Sequence, residues 1–452
     1  MVSNIEVNLT EGSVTKKLAV FAAPFFAANF LQAMYGAIDT AIVGWFSNAG
    51  GIAAISIGSQ VMQIMISLVT GITLGGTILI AQYLGAMQKQ DLKELLGTML
   101  TIFFILAVVL TALMGAFTIP ILNCLNTPPE AYAQAKAFVY ISSAGTVFIV
   151  GYNAISAIMR GFGNSKQPLI FIAIACVTNI LLDFLFVGFF RLGPAGAAIS
   201  TVTAQAASMV LSILYLKKND FIFDFKLKSF RIQKDKAAAL LKLGIPVCAQ
   251  ETMINFSFLF ITAIVNSFGV VASAAVGISD KFITFAMLPA SALSGAIASM
   301  TAQNMGAGYH DRARKTMRVG ILFSVAFALV FFLWVQIIPE TVLHLFRADA
   351  AVIADGVVYL RAFSYDFIMV SFVFCMDGFV NGCGHTTFSL INGLVSSFFV
   401  RVPLAFLLSK VLRDGLFGVG VAAPAASVIS IIIALIYIRS GHWQKSKIIA
   451  KK

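Results

Sequence analysis

The chain has 452 residues, of which 59% are hydrophobic and only 11% charged, and its mean hydropathy is +0.93. Soluble domains carry roughly 25% charged residues, so this composition excludes a soluble enzyme or binding module and indicates a protein solvated by lipid. The formal net charge of +12 requires no nucleic acid partner, because it follows from the loop pattern of membrane proteins described below.

Twelve apolar stretches, each about as long as a bilayer core requires, follow one another along the chain. The first six lie near 16–46, 52–84, 94–123, 130–160, 168–188 and 195–216. The second six lie near 238–268, 273–305, 316–338, 354–381, 387–411 and 417–438. The sequence therefore predicts an all-α polytopic membrane protein with twelve transmembrane helices in two pseudo-symmetric six-helix lobes. The predicted parts are an N-lobe at 1–216, a cytoplasmic connecting loop at 217–237, a C-lobe at 238–440 and a basic cytoplasmic tail at 441–452.

Lysine and arginine collect in every second loop, and cytoplasmic loops are the ones enriched in these residues. The opposite loops hold only scattered charges, such as Arg191, Arg347 and Arg413. The pattern predicts that both termini and the central loop are cytoplasmic, in the inner membrane of a cell. The residues on the basic side include Lys16, Lys17, Lys89, Lys93, Arg160, Lys166, Lys217, Lys242, Arg312, Arg318, Lys445, Lys447, Lys451 and Lys452.

The two halves of the chain repeat each other. AQYLGAMQKQD at 81–91 recurs as AQNMGAGYHDR at 302–312, and RGFGNSKQPL at 160–169 recurs as NGCGHTTFSL at 381–390. The offset in the numbering is the same for both pairs. Six helices in each half give both halves the same orientation in the membrane, and such parallel repeats place a substrate cavity between them. A transporter with two lobes needs no partner subunit, so we expect a monomer.

These motifs, with NLTEGSVTKKLAVFAAPFFAANFLQAMYGAIDTAIVGWF in helix one and NILLDFLF in helix five, resemble those of bacterial MATE (multidrug and toxic compound extrusion) transporters over essentially the whole chain. The resemblance is closer to the DinF-like than to the NorM-like pattern, because Val370 stands where NorM-like relatives carry an aspartate. It implies a secondary active antiporter that exports organic, often cationic, drug-like compounds in exchange for sodium ions or protons, without a cofactor.

Two aspartates inside the predicted spans of the first half have no lysine or arginine in those spans to neutralise them, and such residues mark function. From a rise of about 1.5 Å per residue, Asp39, Asp183 and Thr201 lie at one level of the outer half of the lobe. Asn179 lies one turn below Asp183 on the same face, and Asn153 could join them. Oxygen ligands suit sodium, and two buried carboxylates also suit a proton. In MATE transporters the matching aspartates, asparagine and threonine couple the cation, which is the metal site that we expect here.

The carboxylates of the second half share the membrane with Lys281 and Arg401. Either these charges neutralise one another, or the carboxylates bind a cationic drug, and the sequence leaves both interpretations open. Tyr35, one turn below Asp39, is either a further contact to substrate or a packing residue. The candidates for binding substrate are Glu251, Asp280, Asp366 and Tyr35.

Other classes of function fit the sequence less well. A lipid-linked saccharide flippase of the same superfamily is the alternative, but it would have more helices and a strongly basic central cavity. A membrane enzyme would need a catalytic cluster inside the bilayer, whereas His344 and His385 lie near opposite ends of predicted helices. An ATP-driven pump is excluded because the sequence has no nucleotide-binding motif. We therefore expect no enzymatic activity.

Overall fold

The computed structural model describes residues 5–344, 346, 349–412 and 414–445, and no strand occurs within them. The predicted external charges Arg347 and Arg413, and the part of the basic tail at 446–452, lie outside the described residues. The helices of the first half are α1 (Val14–Phe46), α2 (Ala49–Gly85), α3 (Lys89–Cys124), α4 (Pro129–Ala144), α5 (Thr146–Gly161), α6 (Lys166–Asp183) and α7 (Gly193–Lys218).

The second half begins after the connecting loop. Its helices are α8 (Lys234–Asn266), α9 (Val270–Gly306), α10 (His310–Ile337), α11 (Pro339–His344), α12 (Ala350–Phe363), α13 (Tyr365–Gly382), α14 (Thr386–Leu394), α15 (Val402–Val411) and α16 (Gly415–Arg439). A π-helical segment, Phe184–Phe189, continues α6, and another, Val395–Arg401, joins α14 to α15.

Twelve spans are confirmed. Ten continuous helical stretches of the described chain are long and apolar enough to cross a membrane. Two more spans are bent pairs, α4 with α5 at 50° and α12 with α13 at 43°. The predicted and observed ends differ by at most six residues, at the start of the ninth span, which was predicted at 316 and begins at 310.

The repeat is visible in the lengths and breaks of the helices. The first helices of the two halves, α1 and α8, have 33 residues each, and α2 and α9 have 37 each. Both halves bend their fourth span and include a π-helical segment in their fifth. Neither the bends nor the π-helical segments were predicted from the sequence, because hydropathy reports the length of a span and not the direction of its axis.

Each bend has a local cause. Gly145 separates α4 from α5, and a Cβ atom there would overlap the side chain of Val202 on α7, so only glycine permits this approach. Ser364 separates α12 from α13. Its hydroxyl donates to the carbonyl of Arg361 at 2.9 Å and accepts a hydrogen bond from Gln336 at 2.8 Å. The break interrupts the hydrogen bonds of the helix backbone in an apolar environment, and these side-chain hydrogen bonds give the affected polar groups partners.

The described chain divides into two compact units. The first contains the residues up to Asn8 together with Ala27–Gly244, and the second contains Leu9–Phe26 together with the residues from Ile245 onward. The division therefore cuts α1 and α8 close to Pro24 and Pro246, which occupy equivalent places in the first helix of each half. The lobe boundaries predicted from the sequence, 1–216 and 238–440, differ from this division, because they keep the first helix of each half within a single lobe.

In the first unit, the segment that leads into α8 is fixed to the start of α3. Lys236 Nζ lies 2.6 Å from Asp91 Oδ1, at the end of the first repeated motif. Thr98 Oγ1 donates to the carbonyl of Arg231 at 3.1 Å and accepts the backbone amide of Gln233 at 3.0 Å. Side-chain hydrogen bonds to backbone therefore attach the connecting loop where α8 begins.

In the second unit, the segment that leads into α1 is fixed in a similar way. The Arg312 guanidinium donates to the carbonyls of Glu11 and Gly12 at 2.7 Å, and to that of Leu9 at 3.3 Å. Gln303 Oε1 accepts the backbone amide of Leu9 at 2.6 Å. Both side chains belong to the second copy of the AQ motif, so each copy holds the chain before a first helix.

Candidate cation-coupling site

Three helices of the first unit bring four of the predicted polar residues together. Asp39 lies in the second half of α1, Asn179 and Asp183 lie near the end of α6, and Thr201 lies in α7. Thr201 Oγ1 donates to Asp39 Oδ2 at 3.3 Å, and Asn179 Nδ2 donates to Thr201 Oγ1 at 3.5 Å. Asp183 interacts electrostatically with Asp39. We call these four residues the polar quartet.

Three members of the polar quartet are buried, Thr201 is partly buried, and several of their oxygen atoms have no hydrogen-bond partner among the described residues. Asp183 and Asn179 have no exposed surface, and Asp39 is 7% exposed. Within the described residues, no hydrogen bond reaches Asp39 Oδ1, Asn179 Oδ1 or either carboxylate oxygen of Asp183. The ion pairs of the described chain involve other carboxylates. Unpaired buried acceptors are rare and require an ion, a proton or water.

The sequence of α6 sets the geometry at Asp183. Asn179 and Asp183 are four residues apart, so their side chains lie on one face, one turn apart. Asp183 is the last residue of α6, and the π-helical segment Phe184–Phe189 starts directly after it. A π-helical turn inside a helix is frequent at functional sites, because it changes the direction of the following side chains. The carboxylate thus lies where the helix changes its register.

Tyr35, which the sequence places one turn below Asp39, lies beside the polar quartet. Its hydroxyl is buried, has no hydrogen bond within the described residues, and interacts with Asp39 and Thr201. Asn153 is placed differently. Its Nδ2 donates to the carbonyl of Ile149 in its own helix at 2.8 Å, and the structure gives it no hydrogen bond to the quartet among the described residues.

Two neighbours of the quartet were not predicted. Cys176 is buried and interacts with Asp39 and Tyr35. Its position, three residues before Asn179, is a helical spacing that could have identified it. Ser200, directly before Thr201, is also buried and interacts with Asp183. No sequence signal distinguishes it from the other small residues of α7.

The second unit holds a separate charged cluster. Asp366, 3% exposed at the start of α13, accepts a hydrogen bond from Ser427 Oγ at 2.5 Å. Both Asp366 and the half-buried Asp280 are attracted electrostatically by Arg401. The guanidinium carbon lies 4.4 Å from the ring centre of Phe258, a cation–π contact. Among the described residues Arg401 forms no ion pair with either aspartate, so neutralisation and binding of a cationic drug both stay open.

Glu251 and Lys281 lie outside that cluster. Glu251 is exposed and interacts with Asp377, which accepts a hydrogen bond from Gln250 Nε2 at 3.0 Å. Lys281 is exposed, and among the described residues it forms no ion pair. The three candidate carboxylates of the second half are therefore divided, with Asp280 and Asp366 near Arg401 and Glu251 near Asp377.

Comparisons with known proteins all point to one family. The family model that matches this chain is described as MatE, and it covers residues 24–185 and again 246–407. The first match begins at Pro24 and the second at Pro246, so the family model matches each half of the internal repeat once. Together the two matches cover more than half of the chain.

Named relatives and solved structures match over nearly the full length. The probable multidrug resistance protein YpnP of Bacillus subtilis (strain 168) is 30% identical over 98% of this chain and 99% of that protein. The probable multidrug resistance protein YoeA of the same organism is 28% identical over 96% of both chains. A solved structure, the outward-facing conformation of a multidrug resistance MATE family transporter of the MOP superfamily, superposes with a TM-score of 0.90. It shares 20% identity, covers 96% of this chain and 97% of its own, and supports the twelve-helix fold with two lobes.

Proposed function

Because this chain belongs to the MatE family of multidrug efflux transporters, we propose that it is a secondary active antiporter that exports organic, often cationic, compounds in exchange for sodium ions or protons. The observation that supports this most directly is the polar quartet, in which Asp39 Oδ1, Asn179 Oδ1 and both carboxylate oxygens of Asp183 accept no hydrogen bond from the described residues. Two carboxylates without a basic residue at ion-pair distance in the described chain leave negative charge inside the membrane. An incoming sodium ion or proton would neutralise this charge.

The two coupling ions would use the same residues differently. A sodium ion would take oxygen ligands from Asp39, Asp183, Asn179 and Thr201. A proton would bind between the two carboxylates and leave the amide and the hydroxyl as hydrogen-bond partners. In either case, an ion drives export only if it binds one conformation better than the other. Asp39 lies on α1, which includes Pro24, so bending of this helix would change the distance between Asp39 and Asp183.

Ethidium efflux from proteoliposomes tests this function. A sodium or proton gradient is imposed on wild type, Asp39→Asn and Asp183→Asn, with Asp220→Asn in the connecting loop as the control. We expect one gradient to drive export, both quartet variants to lose it, and the control to keep it. Gradient-driven export that survives both quartet substitutions would contradict the proposal and move the coupling site to the second unit.

We assign the contacts to cationic substrate to Asp280, Asp366 and Glu251, with Tyr35 as a neighbour of the coupling site. Carboxylates attract organic cations, whereas Arg401 would repel them. Substrate affinity therefore depends on how strongly Arg401 interacts with Asp280 and Asp366. Asp280→Asn and Asp366→Asn should then raise the KM for ethidium more than the KM for a neutral substrate. An equal change for both substrates would contradict this assignment.

The proposed topology places the chain in the inner membrane as a monomer, with both termini and the connecting loop in the cytoplasm. The basic residues of alternate loops support this orientation. In a background without cysteines, a membrane-impermeant maleimide should label Thr127→Cys in intact cells and Asp220→Cys only after lysis. The reverse pattern would contradict the topology.

The comparisons do not favour the alternative function, a lipid-linked saccharide flippase, and the named relatives are transporters and not enzymes.

A further inference from the structure

An apolar groove lies between α8 and α15 of the second unit, and it has a positive charge at one end. Its volume is about 580 Å³, within the range of ligand sites. The apolar part of its lining comes from both helices, and the polar residues Ser267, Ser409 and Lys410 gather where these helices end. The residues that form the apolar part are Phe260, Ala263, Ile264, Phe268, Val402, Pro403 and Phe406.

The charge at the end of the groove is that of Lys410. Lys410 is exposed, and it forms no ion pair within the described residues. Its ammonium lies 4.0 Å from the ring centre of Phe406, which lines the groove. The nearby carboxylate of Asp414 accepts the backbone amides of Leu416 and Phe417 at the start of α16. The lysine therefore presents a free positive charge beside an apolar surface, next to the last residue of a membrane span.

The aromatic ring at the end of the first helix packs differently in the two units. Phe46 and Phe268 are separated by the same offset as Pro24 and Pro246. In the first unit the ring of Phe46 packs against Gly188, where an added Cβ would lie 3.4 Å from it. In the second unit Phe268 instead packs against Gly415, at the start of α16. The ring of Phe268 lines the groove from this position.

We propose that this groove binds one anionic phospholipid, with an acyl chain along the apolar lining and the phosphate at Lys410. An exposed ammonium attracts an anionic headgroup, although the attraction is modest. With α15 spanning the bilayer as proposed, the ammonium next to its last residue would lie at the level of the outer headgroups, and the aromatic walls would face acyl chains. Ser267 and Ser409 donate their hydroxyl hydrogens to backbone carbonyls of their own chain segment, so Lys410 is the group at this end that is free to bind phosphate. This site is independent of the coupling ion.

Native mass spectrometry of protein released from nanodiscs tests the proposal. The nanodiscs contain phosphatidylglycerol and phosphatidylcholine in equal amounts, and the bound lipids are counted for each variant. We expect wild type to retain one phosphatidylglycerol in preference to phosphatidylcholine. Lys410→Gln should lose roughly fivefold of this preference, which corresponds to about 1 kcal/mol, the upper end for one exposed ion pair. Ala263→Phe keeps the charge but fills the groove, and should reduce retention of both lipids.

Lys136→Gln is the matched control, because Lys136 also lies over an aromatic ring, that of Tyr140 at 5.9 Å, but lines no part of the groove. It should keep the wild-type preference. An equal loss in Lys136→Gln, or a preference that survives both Lys410→Gln and Ala263→Phe, would overturn the proposal. Displacement by dodecyl phosphate, with no retained phosphatidylglycerol in wild type, would identify a site for soluble amphipathic anions and would also overturn it.

Discussion

Asp91 and Arg312 occupy the same place in the two copies of the AQ motif, and they hold equivalent parts of the chain with opposite charges. Asp91 binds the ammonium of Lys236 in the first turn of α8, whereas Arg312 binds backbone carbonyls before α1. The two residues occupy the same position in the repeat but carry opposite charges. The motif therefore serves to fix the start of a first helix, and either charge can do this.

Arg312→Ala should release the segment before α1. The substitution removes the hydrogen bonds to the carbonyls of Leu9, Glu11 and Gly12. Bonds from a charged donor contribute about 1.5–3 kcal/mol, and solvent at this half-exposed site reduces that to about 1 kcal/mol. We expect faster hydrogen exchange at the Leu9 amide and a small loss of thermal stability. Arg318→Ala, exposed on the same helix, is the control, and equal exchange in both variants would contradict the role of Arg312.

The ion pair in the first unit should depend on Asp91 more than on Asp235. Lys236 is buried and lies 2.6 Å from Asp91, but 3.2 Å from Asp235, which is 69% exposed. Asp91→Asn should therefore lower the free energy of unfolding by about 1 kcal/mol, because it leaves a buried ammonium poorly paired. Asp235→Asn should change it by much less. A double-mutant cycle with Lys236→Gln measures the coupling, and equal coupling energies for the two aspartates would contradict the prediction.

The sequence predicted the spans and the repeat because bilayer thickness fixes the length of a helix and because motifs recur at a constant offset. It also predicted that Asp39, Asp183 and Thr201 meet, since their depths follow from the rise per residue. Depth does not determine which face of a helix turns inward. For this reason Asn153, at a suitable depth, forms its hydrogen bond within α5 and not with the quartet.

The assignment of the start of α1 to the second unit was not predictable either. It depends on hydrogen bonds between residues far apart in the sequence, such as Leu9 with Gln303 and Glu11 with Arg312. A hydropathy profile contains no information on such pairings. The π-helical segment after Asp183 was missed for a related reason, because its residues are as apolar as those of an ordinary span.

Gly97→Ala should displace the connecting loop from α3. A Cβ atom at Gly97 would overlap the carbonyl oxygen of Ser229, so the loop must move or the helix must shift. Overpacking of this kind costs about 1–3 kcal/mol. We expect faster hydrogen exchange across 229–233 and a lower melting temperature.

Gly115→Ala on the same helix is the matched control for Gly97→Ala. An added Cβ there meets no atom within 4 Å, so stability should be unchanged or rise by about 0.5 kcal/mol. If Gly97→Ala is tolerated as well as Gly115→Ala, the loop is not fixed at this point.

Thr201→Val should weaken ion coupling without changing the fold. Thr201 is the only residue of the quartet, within the described chain, whose hydrogen bonds join two of the other members, Asp39 at 3.3 Å and Asn179 at 3.5 Å. Valine keeps the shape but removes the hydroxyl, which leaves one fewer ligand for a sodium ion or one fewer donor to the carboxylate. At about 1.4 kcal/mol for a lost bond to a charged group, the ion concentration for half-maximal export should rise roughly tenfold.

Two variants show whether this loss belongs to the hydroxyl at position 201. Thr201→Ser keeps the hydroxyl and should stay within about twofold of wild type, whereas Thr203→Val, exposed two residues along α7, should leave coupling unchanged. A tenfold change in both valine variants would indicate a general effect on α7. If instead Thr201→Val matches wild type, the hydroxyl takes no part in coupling, and the ion is held by the carboxylates and the Asn179 amide alone.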